Sequence, residues 1–390
     1  MSRLQELINR LCPDGVPFKQ LGDYITICTG EQFNKRDMNE EGSYPVINGG
    51  INPSGYIENF NENKDTITIS QGGASAGYVA WQEYPFWAGA HCYVVKPSSS
   101  ILMKRFIYFF LKNNESYLQQ MQHGAGIPAL NRDKVKNLLI PVPPIEVQEE
   151  IVRILDNFSS YAAELQAELQ ARREQYEYYR NLLLTFSPSA CGFGTDDKQE
   201  IDDVTMPPPN SYKIQWKTMG EVCKIQRGIR VVKENLSEHG SFPVFQNSLK
   251  PLGYFEKFNM EGDKTFIIGA GAAGEIGYNK NRFWAADDCF TMIPRENILS
   301  RFMYHWLLLN QHRLKSNVRK ASVPRLSREY IAKIKIPVPP LELQEKIVAT
   351  LDKFETLVND LTAGLPAEIE AVRQQYEYYR NKLLTFKQRA

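Results

Sequence analysis

The sequence predicts an α+β fold in which two globular mixed α/β domains are joined by two long helices, packed as an antiparallel coiled coil within a pseudo-two-fold internal repeat. Three observations lead to it. The 390 residues exceed one ordinary hydrophobic core, the second half repeats the first, and a heptad pattern follows each globular stretch. The predicted divisions are a first globular domain at 1–143, a first long helix at 144–186, a linker at 187–211, a second globular domain at 212–339 and a second long helix at 340–390.

The helical segments repeat almost letter for letter. QYEYYRNLLLTF at 175–186 and QYEYYRNKLLTF at 375–386 agree at eleven of twelve positions. The phrase IPVPP precedes each helix, at 140–144 and 336–340. The near identity predicts that the same partner or packing surface recognises both segments.

The globular stretches share short motifs in the same order but differ at most other positions. FWAGAHCYVVKP (86–97) aligns with FWAADDCFTMIP (283–294), and GIPALNRDKV (126–135) aligns with SVPRLSREYI (322–331). Between the copies lies a stretch rich in Pro, Gly, Ser and acidic residues, which is typical of an exposed linker. The contrast predicts that the globular parts recognise something variable.

An apolar seam predicts the coiled coil. Apolar residues recur in steps of three and four from Ile151 to Phe186, with Arg172 the plainly polar exception. Some 40 such residues would form a rod of roughly 60 Å. The second copy carries four extra residues near Gly364 and Pro366, which form a stutter, so we expect an irregular turn near 362–367.

The repeated tyrosines are candidates for binding a partner protein. Tyr178 and Tyr378 fall off the seam, and an off-seam aromatic present in both copies suggests a second contact surface. Packing onto the neighbouring globular domain is the equally open alternative. The candidate partner-binding residues are Tyr176, Tyr178, Tyr179, Arg180, Tyr376, Tyr378, Tyr379 and Arg380.

Charge is distributed unevenly along the chain, although the formal net charge is +1. Residues 213–335 hold 21 Lys/Arg against 11 Asp/Glu, whereas residues 1–140 hold 13 of each. The helical segment and linker that follow residue 140 are acidic. This asymmetry suggests a polyanionic partner for the second domain, with an ordinary solvated surface as the alternative.

Nothing in the sequence predicts catalysis or a metal site in this chain. GAGAAG (269–274) matches GxGxxG, but strand and turn residues follow it instead of a helix, and its counterpart SQGGASAG (70–77) lacks the pattern. The Asn/Asp-Pro-Pro-aromatic loop of an adenine methyltransferase is missing, and no acid/base pair recurs in both copies. The six cysteines form no CxxC pair.

The sequence predicts a cytoplasmic protein. The start, MSRLQELINR, carries charges and has no apolar h-region, so a signal peptide is not expected. No run of about 18 apolar residues predicts a membrane span. The scattered cysteines suit a reducing compartment.

The whole chain resembles the specificity (S) subunit of type I DNA restriction–modification systems. The resemblance is carried by LCPDGVPFKQLGDY (11–24), by GIPALNRDKVKNLLIPVPPIEVQEEIV (126–152) and its copy SVPRLSREYIAKIKIPVPPLELQEKIV (322–348), and by the two QYEYYRN endings. The order of variable domain, constant helix, variable domain and constant helix is more specific than any single motif. The stutter departs from strict symmetry and leaves the spacer length open.

The resemblance implies a division of labour between subunits. Each globular part would be a target recognition domain that reads one half of a bipartite, asymmetric double-stranded DNA site. The coiled coil would set the half-site spacing and dock two DNA adenine methyltransferase (M) subunits, which restriction/translocase (R) subunits join. This chain would need no cofactor, since S-adenosylmethionine, ATP and Mg²⁺ are expected on those partners.

Basic and amide side chains are the candidates for DNA contact, because such groups hold phosphates and read base edges. In the second domain they flank Gly228 and fill RKASVPRLSR: Arg227, Arg230, Arg319, Lys320, Ser322, Arg325 and Arg328. Equivalent places in the first domain give Gln32, Asn34, Lys35, Arg36, His123, Asn131 and Arg132.

Two other functions stay open at this point. The chain could be a coiled-coil adaptor whose globular ends bind proteins, which salt-dependent binding to a bipartite duplex would separate from a DNA reader. A nucleotide-dependent enzyme built on GAGAAG is the weaker alternative.

Overall fold

The computed structural model describes residues 3–33, 36, 38, 39, 42–122, 128–186, 214–320, 322–359 and 364–389. The helices are α1 (Arg3–Leu11), α2 (Lys104–Asn113), α3 (Glu115–Gln120), α4 (Arg132–Lys136), α5 (Ile145–Leu184), α6 (Met219–Val222), α7 (Ser300–Leu309), α8 (Gln311–Ser316), α9 (Arg328–Lys333), α10 (Leu341–Asn359) and α11 (Leu365–Leu383). Within these ranges no helix is long and apolar enough to cross a membrane. The predicted linker at 187–211 lies outside the described residues.

The strands belong to two sets, one in each globular domain. The first set is β1 (Phe18–Gln20), β2 (Ile25–Thr29), β3 (Tyr44–Ile47), β4 (Tyr56–Ile57), β5 (Thr66–Ser70), β6 (Val79–Gln82), β7 (Trp87–Ala88), β8 (Cys92–Pro97) and β9 (Leu139–Pro141). The second set is β10 (Gln215–Thr218), β11 (Cys223–Arg227), β12 (Phe242–Phe245), β13 (Gly253–Phe255), β14 (Lys264–Ile268), β15 (Ile276–Asn279), β16 (Trp284–Ala285), β17 (Cys289–Pro294) and β18 (Lys335–Val338).

The two globular domains have the same sheet topology. A four-stranded sheet has the order β2-β8-β5-β6 in the first domain and β11-β17-β14-β15 in the second. A three-stranded sheet has the order β4-β3-β7 or β13-β12-β16, and its last pair is parallel. A further antiparallel pair, β1-β9 or β10-β18, joins the two ends of each domain. The internal repeat read from the sequence is therefore a repeat of structure, and the α+β class is confirmed.

The chain packs into two compact units, and each unit draws on both repeats. Unit 1 comprises Met1–Gln166 and Glu368–Ala390, and unit 2 comprises Ala167–Ala367. Unit 1 thus combines the first globular domain with the first part of α5 and most of α11. Unit 2 combines the second globular domain with the rest of α5 and with α10.

Each domain core forms where an apolar helix covers the four-stranded sheet. All five residues of β5 are buried, as are four of the five residues of β14. Helix α2 adds Phe106 and Phe109 to the first core, and helix α7 adds Phe302 and Trp306 to the second. Burying these large aromatic side chains removes apolar surface from water and stabilises the packing of each helix on its sheet.

A fully buried glutamine fixes the start of each long helical segment. The Gln148 side chain accepts a hydrogen bond from the Met103 N–H and donates to the carbonyls of Ile101 and Pro143, all at 2.8 Å. Gln344 makes the same three bonds to the second domain. Because an unpaired buried polar group costs roughly 1–3 kcal/mol, these bonds hold the helix to its domain in one orientation.

The heptad seam of α5 is protected from solvent along its length. Every seam position from Ile151 to Leu183 is buried or half-buried, whereas the off-seam Tyr178 is 53% exposed. The helix continues for 40 residues without interruption. The sequence pattern therefore identified both the helix and its buried face.

The second helical segment consists of two helices instead of the single long helix expected over 340–390. Helix α10 ends at Asn359 and α11 begins at Leu365, and residues 360–363, on which the turn expected near 362–367 partly falls, lie outside the described residues. Pro366 occupies the first turn of α11, where its missing N–H leaves no hydrogen bond unmade. The proline therefore starts a helix here and does not kink one.

In unit 1 the end of α11 packs antiparallel to the beginning of α5. The rings of Phe158 and Tyr379 stack with centroids 5.4 Å apart, and the Tyr161 hydroxyl donates to Glu368 at 2.7 Å. Residue numbers rise along one helix as they fall along the other. The antiparallel arrangement predicted from the two seams is confirmed within this unit.

Candidate nucleic-acid interface

An asparagine side chain clamps one turn beside the four-stranded sheet of unit 2. Asn259 accepts a hydrogen bond from the Ala285 N–H at 2.7 Å and donates one to the Ala285 carbonyl at 2.8 Å. Gly228, directly after β11, approaches the same turn so closely that a Cβ would lie 2.1 Å from the Ala286 carbonyl oxygen. We call residues 285–289 the clamped turn of unit 2.

Unit 1 repeats this clamp with the same residue types. Asn61 accepts from the Ala88 N–H at 2.6 Å and donates to the Ala88 carbonyl at 3.1 Å. A Cβ on Gly30 would lie 2.3 Å from the Ala88 carbonyl oxygen. Residues 88–92 are therefore the clamped turn of unit 1, and its backbone frame does not depend on the variable letters around it.

The GAGAAG segment is a turn between β14 and β15 that holds a second loop. The Leu326 N–H donates to the Gly269 carbonyl at 2.8 Å, and the Gly271 N–H donates to the Pro324 carbonyl at 3.2 Å. Gly271 has φ +80°, a left-handed conformation that favours glycine. No helix follows the glycines, so the structural context required for dinucleotide binding is missing here.

Unit 1 holds its corresponding loop in the same way. The Leu130 N–H donates to the Gln71 carbonyl at 2.7 Å, and the Gly73 N–H donates to the Pro128 carbonyl at 2.9 Å. Gly73 has φ +84°. Both units therefore place a loop from the end of the globular domain beside the clamped turn through equivalent backbone hydrogen bonds.

Unit 2 has a charged cleft of about 350 Å³ between its clamped turn and this loop. Cationic and anionic side chains both line it, namely Arg227, Asp287, Asp288, Arg325, Arg328 and Glu329. The Arg227 Nε donates to the Asp287 carbonyl at 2.7 Å, which fixes the guanidinium beside the turn. The same cleft therefore offers hydrogen-bond donors and acceptors of opposite charge.

The aspartates of the cleft are not neutralised by its arginines. Among the described residues, no salt bridge joins Asp287 or Asp288 to a basic side chain, and Asp287 Oδ1 is buried without a hydrogen-bond partner. Burial, followed by the negative charge of Asp288, raises the pKa of the neighbouring Cys289 thiol. Asp288 therefore keeps a carboxylate that no described basic side chain pairs with, while the thiol stays protonated and inert.

The corresponding place in unit 1 carries different chemistry on the same frame. The sequence alignment puts Thr29 opposite Arg227, and His91 opposite Asp288. The frame residues are unchanged, since Cys92 is buried as Cys289 is, and burial raises the pKa of its thiol to about 12. The two units thus present unlike side chains from equivalent positions.

The structure brings together three of the seven DNA-contact candidates of the second domain. Arg227, Arg325 and Arg328 line the cleft. Arg319 pairs with Arg325 through a two-residue backbone bridge, which places it next to the cleft. The remaining candidates are exposed but do not line the cleft: Arg230, Lys320 and Ser322.

The candidates of the first domain are more dispersed. Three of them lie outside the described residues: Asn34, Lys35 and His123. Gln32 and Arg36 are exposed. Asn131 caps α4 by accepting a hydrogen bond from the Asp133 N–H at 2.8 Å, and Arg132 is the exposed first residue of that helix. For Asn131 the structure thus provides a capping role that the sequence analysis did not consider.

The acidic residues of the cleft were not among the DNA-contact candidates, and Asp288 beside Cys289 was considered only as part of a shared metal or thiol site, which the differing His91 of the first copy argued against. Asp287 and Asp288 follow the invariant FWA and precede a cysteine that recurs in both copies. A position-by-position comparison of the copies shows Ala90 and His91 in their places, between the shared FWA and the shared cysteine. They were not selected because the candidates for DNA contact were chosen among basic and amide side chains.

The repeated tyrosine segments divide into an inward and an outward face. Tyr176 is 7% exposed, and burial, followed by the charge of Glu355, raises its pKa to about 12. Arg180 and Arg380 lie over the rings of Tyr176 and Tyr376, at 5.3 and 5.2 Å from the ring centroids. These four residues pack within their own units.

The outward face consists of Tyr178 and Tyr378, which are 53% and 60% exposed. Each lies edge-on to the next tyrosine, with ring centroids 5.5 Å from Tyr179 and 5.3 Å from Tyr379. Tyr179 in turn stacks on Phe354, at 5.2 Å. The candidate partner surface therefore centres on Tyr178 and Tyr378, and in the second repeat Tyr379 adds to it, since its side chain is 39% exposed.

Helices α7 and α10 of unit 2 are joined by a partly buried ionic cluster. Arg301 pairs with Asp352 at 2.7 Å and with Glu355 at 2.5 Å. The fully buried His305 places its Nε2 2.8 Å from Asp352 Oδ1, and the Tyr304 hydroxyl donates to Glu355 at 2.7 Å. Since Arg301 already neutralises both carboxylates, this group of potential metal ligands is better explained as an ion-pair network.

Comparison with known proteins places this architecture in one family. The model of the type I restriction modification DNA specificity domain matches residues 13–174 and again residues 213–371. The EcoR124I/EcoR124II specificity subunit of Escherichia coli is 27% identical over 423 residues, covering 99% of this chain and 97% of that one. A MpnII specificity subunit of Mycoplasma pneumoniae is 30% identical and covers 56% of this chain and 62% of that one.

Solved structures agree with the fold. The type I restriction–modification S subunit from M. genitalium superposes with a TM-score of 0.70 at 22% identity, covering 99% of both chains. Because the family model matches both halves, and with them most of the sequence, the chain belongs to the type I restriction–modification DNA specificity family. It is a type I specificity subunit, and the resemblance stated from the sequence is confirmed.

Proposed function

We propose that this chain is the non-catalytic DNA-recognition subunit of a type I restriction–modification complex, and that each globular domain reads one half of a bipartite, asymmetric site. One observation carries the proposal. Both units have a clamped turn and a loop that backbone hydrogen bonds hold beside it. The side chains at these places differ between the two units. Equivalent scaffolds with different linings are what two readers of different half-sites require.

Positive charge around the second cleft supports phosphate contact. Residues 213–335 carry ten more basic than acidic side chains, with 21 Lys/Arg against 11 Asp/Glu. Arg319, Lys320 and Arg328 are exposed near or at the cleft. Such residues would orient the duplex through its backbone, while side chains within the cleft reach base edges.

The helices would set the half-site spacing and dock the partner subunits. A partner that binds twice needs the same surface twice, and the exposed Tyr178 and Tyr378 occur in nearly identical segments. We assign this surface to two DNA adenine methyltransferase subunits, to which restriction/translocase subunits add. S-adenosylmethionine, ATP and Mg²⁺ would then act on those partners.

Exchanging residues 213–335 for those of a relative with another target is expected to change one half-site of the methylated sequence and leave the other unchanged. The reason is that unit 2 carries its own cleft on a frame shared by both units. Mapping methylated adenines across the genome with the native and exchanged chains measures both half-sites at once.

The exchange also separates the proposal from a protein-binding adaptor. An adaptor would leave the methylated sequence as it was, and its binding to a bipartite duplex would not weaken steeply with salt. Alteration of both half-sites by the single exchange would contradict independent reading by the two domains.

Inserting one heptad into α5 is expected to change the tolerated spacer and preserve both half-sites. Seven residues add about 10 Å of helix while keeping the apolar face in register, which corresponds to about three base pairs. Methylation of a plasmid library with spacers of graded length gives the result. A changed half-site, or an unchanged spacer, would argue against the helix as the element that sets distance.

A further inference from the structure

The charged cleft of unit 2 contains a donor and an acceptor held side by side. Arg227 is anchored by its Nε bond to the Asp287 carbonyl at 2.7 Å, and among the described residues its two terminal nitrogens have no hydrogen-bond partner. Asp288 lines the same cleft, and its carboxylate has no partner among the described residues. Its backbone carbonyl accepts a 2.6 Å bond from the Gly269 N–H, which fixes the position of this residue too.

A carboxylate in a DNA-facing cleft weakens binding to any sequence, because phosphates repel it. It is useful only where it accepts a hydrogen bond from a base. In the major groove, cytosine presents an amino donor that Asp or Glu accepts, and guanine presents the O6 and N7 acceptors that arginine reads bidentately. A fixed arginine beside an unpaired aspartate therefore matches both edges of one G·C pair.

We propose that Arg227 and Asp288 form a site for a single G·C base pair in the half-site read by unit 2. Arg227 donates to the guanine and Asp288 accepts from the cytosine amino group. Arg325 and Arg328, which line the same cleft, offset the negative charge of the aspartates towards the phosphates. This inference rests on the proposed function, since it names the base pair that one of the two readers selects.

Unit 1 provides an internal comparison. Thr29 and His91 occupy the positions of Arg227 and Asp288, while the asparagine clamp and the close glycine are unchanged. The lining of unit 1 therefore lacks the arginine–carboxylate pair. The G·C selection assigned to unit 2 should be absent at the matching position of the first half-site.

The test uses the full chain in its methyltransferase complex, with Asp288→Asn and Arg227→Lys as variants. Asn keeps the shape of Asp but adds a donor, and Lys keeps the charge of Arg but loses the bidentate fork. Each variant is expected to relax discrimination at the same G·C pair of the second half-site by about 10-fold to 100-fold. Methylation rates on a library of duplexes varied through both half-sites provide the measurement.

Glu296→Gln serves as the matched control. Glu296 is exposed in the same unit, lies outside the cleft and should leave every position unchanged. Thermal unfolding of each variant checks that the fold is retained, and the unchanged first half-site provides a second check within the same assay.

Three results would overturn the inference. One is unaltered discrimination at every position in both variants, another is a uniform change of rate on all sequences, and the third is relaxation at two different base pairs. In each case, if the wild-type chain still selects a bipartite site, the proposed function is not contradicted. A wild-type complex with no bipartite selectivity would refute the proposed function itself, and this inference with it.

Discussion

Arg301→Met is expected to destabilise unit 2 by about 3 kcal/mol or more, because it leaves two partly buried carboxylates without their cation. Arg301 binds Asp352 at 2.7 Å and Glu355 at 2.5 Å, and the side chains of these acids are 34% and 19% exposed. Its guanidinium also lies over the rings of Tyr278 and Tyr304, at 4.4 and 4.5 Å. Hydrogen exchange of the α7 amides measures the loss within this unit.

The destabilisation should depend on pH. Burial pushes the pKa of Asp352 upward, but hydrogen bonds from His305 and Arg301 outweigh it and lower the pKa below its ordinary value of 3.8. A group with a lowered folded pKa contributes stability above its unfolded pKa, and that stability is lost as pH falls through the folded value. The gap between wild type and variant should therefore be full at pH 7 and narrow as pH falls below about 4.

Arg105→Met is the matched control in unit 1. Arg105 occupies the equivalent place, but within the described part of the chain its only ion-pair partner is Asp156, at 2.7 Å, whose carboxylate is 39% exposed. We expect a loss of roughly half the size or less, read from the α2 amides. Equal losses in the two units would mean that stacking on the aromatic rings, and not the second carboxylate, decides the effect.

Gly228→Ala is expected to displace the clamped turn of unit 2 and abolish selection of the second half-site. The new Cβ would lie 2.1 Å from the Ala286 oxygen and 2.3 Å from the Ala285 oxygen, and neither backbone group can rotate away. We expect a destabilisation of about 2 kcal/mol or more. Chemical denaturation measures the stability, and methylation of the duplex library measures the half-site.

Gly220→Ala tests whether any added methyl group has this effect. A Cβ at Gly220, in α6 of the same unit, would meet its nearest atom at an ordinary 3.4 Å. Alanine should be neutral or stabilising there, because it favours helix. If the Gly228→Ala variant still selects the second half-site, the clamped turn is not required for recognition, and the role proposed for it is wrong.

Local patterns predicted the helices and their buried faces well. The seam of α5 depends on residue spacing alone, so Ile151 and Leu155 could be identified as inward-facing from the sequence. The end of one helix and the start of another near Pro366 could be predicted for the same reason, because a proline and an insertion are local features of the sequence. The sequence analysis could not determine which domain Tyr176 and Tyr376 pack against, because that depends on contacts between segments far apart in the chain.

The candidate site was only partly predictable for the same reason. Arginines in RKASVPRLSR were visible as a basic run, and Arg325 and Arg328 do line the cleft. The sequence does not show that Asp287 and Asp288 line the same cleft as these arginines. Backbone hydrogen bonds of Gly269 and Gly271 bring these separate segments together. The role of Asn259 could not be predicted either, because its hydrogen bonds join residues 26 positions apart.

The division of the chain into Met1–Gln166 with Glu368–Ala390, and Ala167–Ala367, makes the two halves mutually dependent. The end of each repeat belongs to the unit that consists mainly of the other repeat. A single cut between residues 187 and 213 would yield two fragments, and either fragment alone would leave a core uncovered. Assembly of the native chain is therefore a reciprocal exchange, in which residues 368–390 complete unit 1 and the end of the first repeat, from Ala167 onwards, completes unit 2.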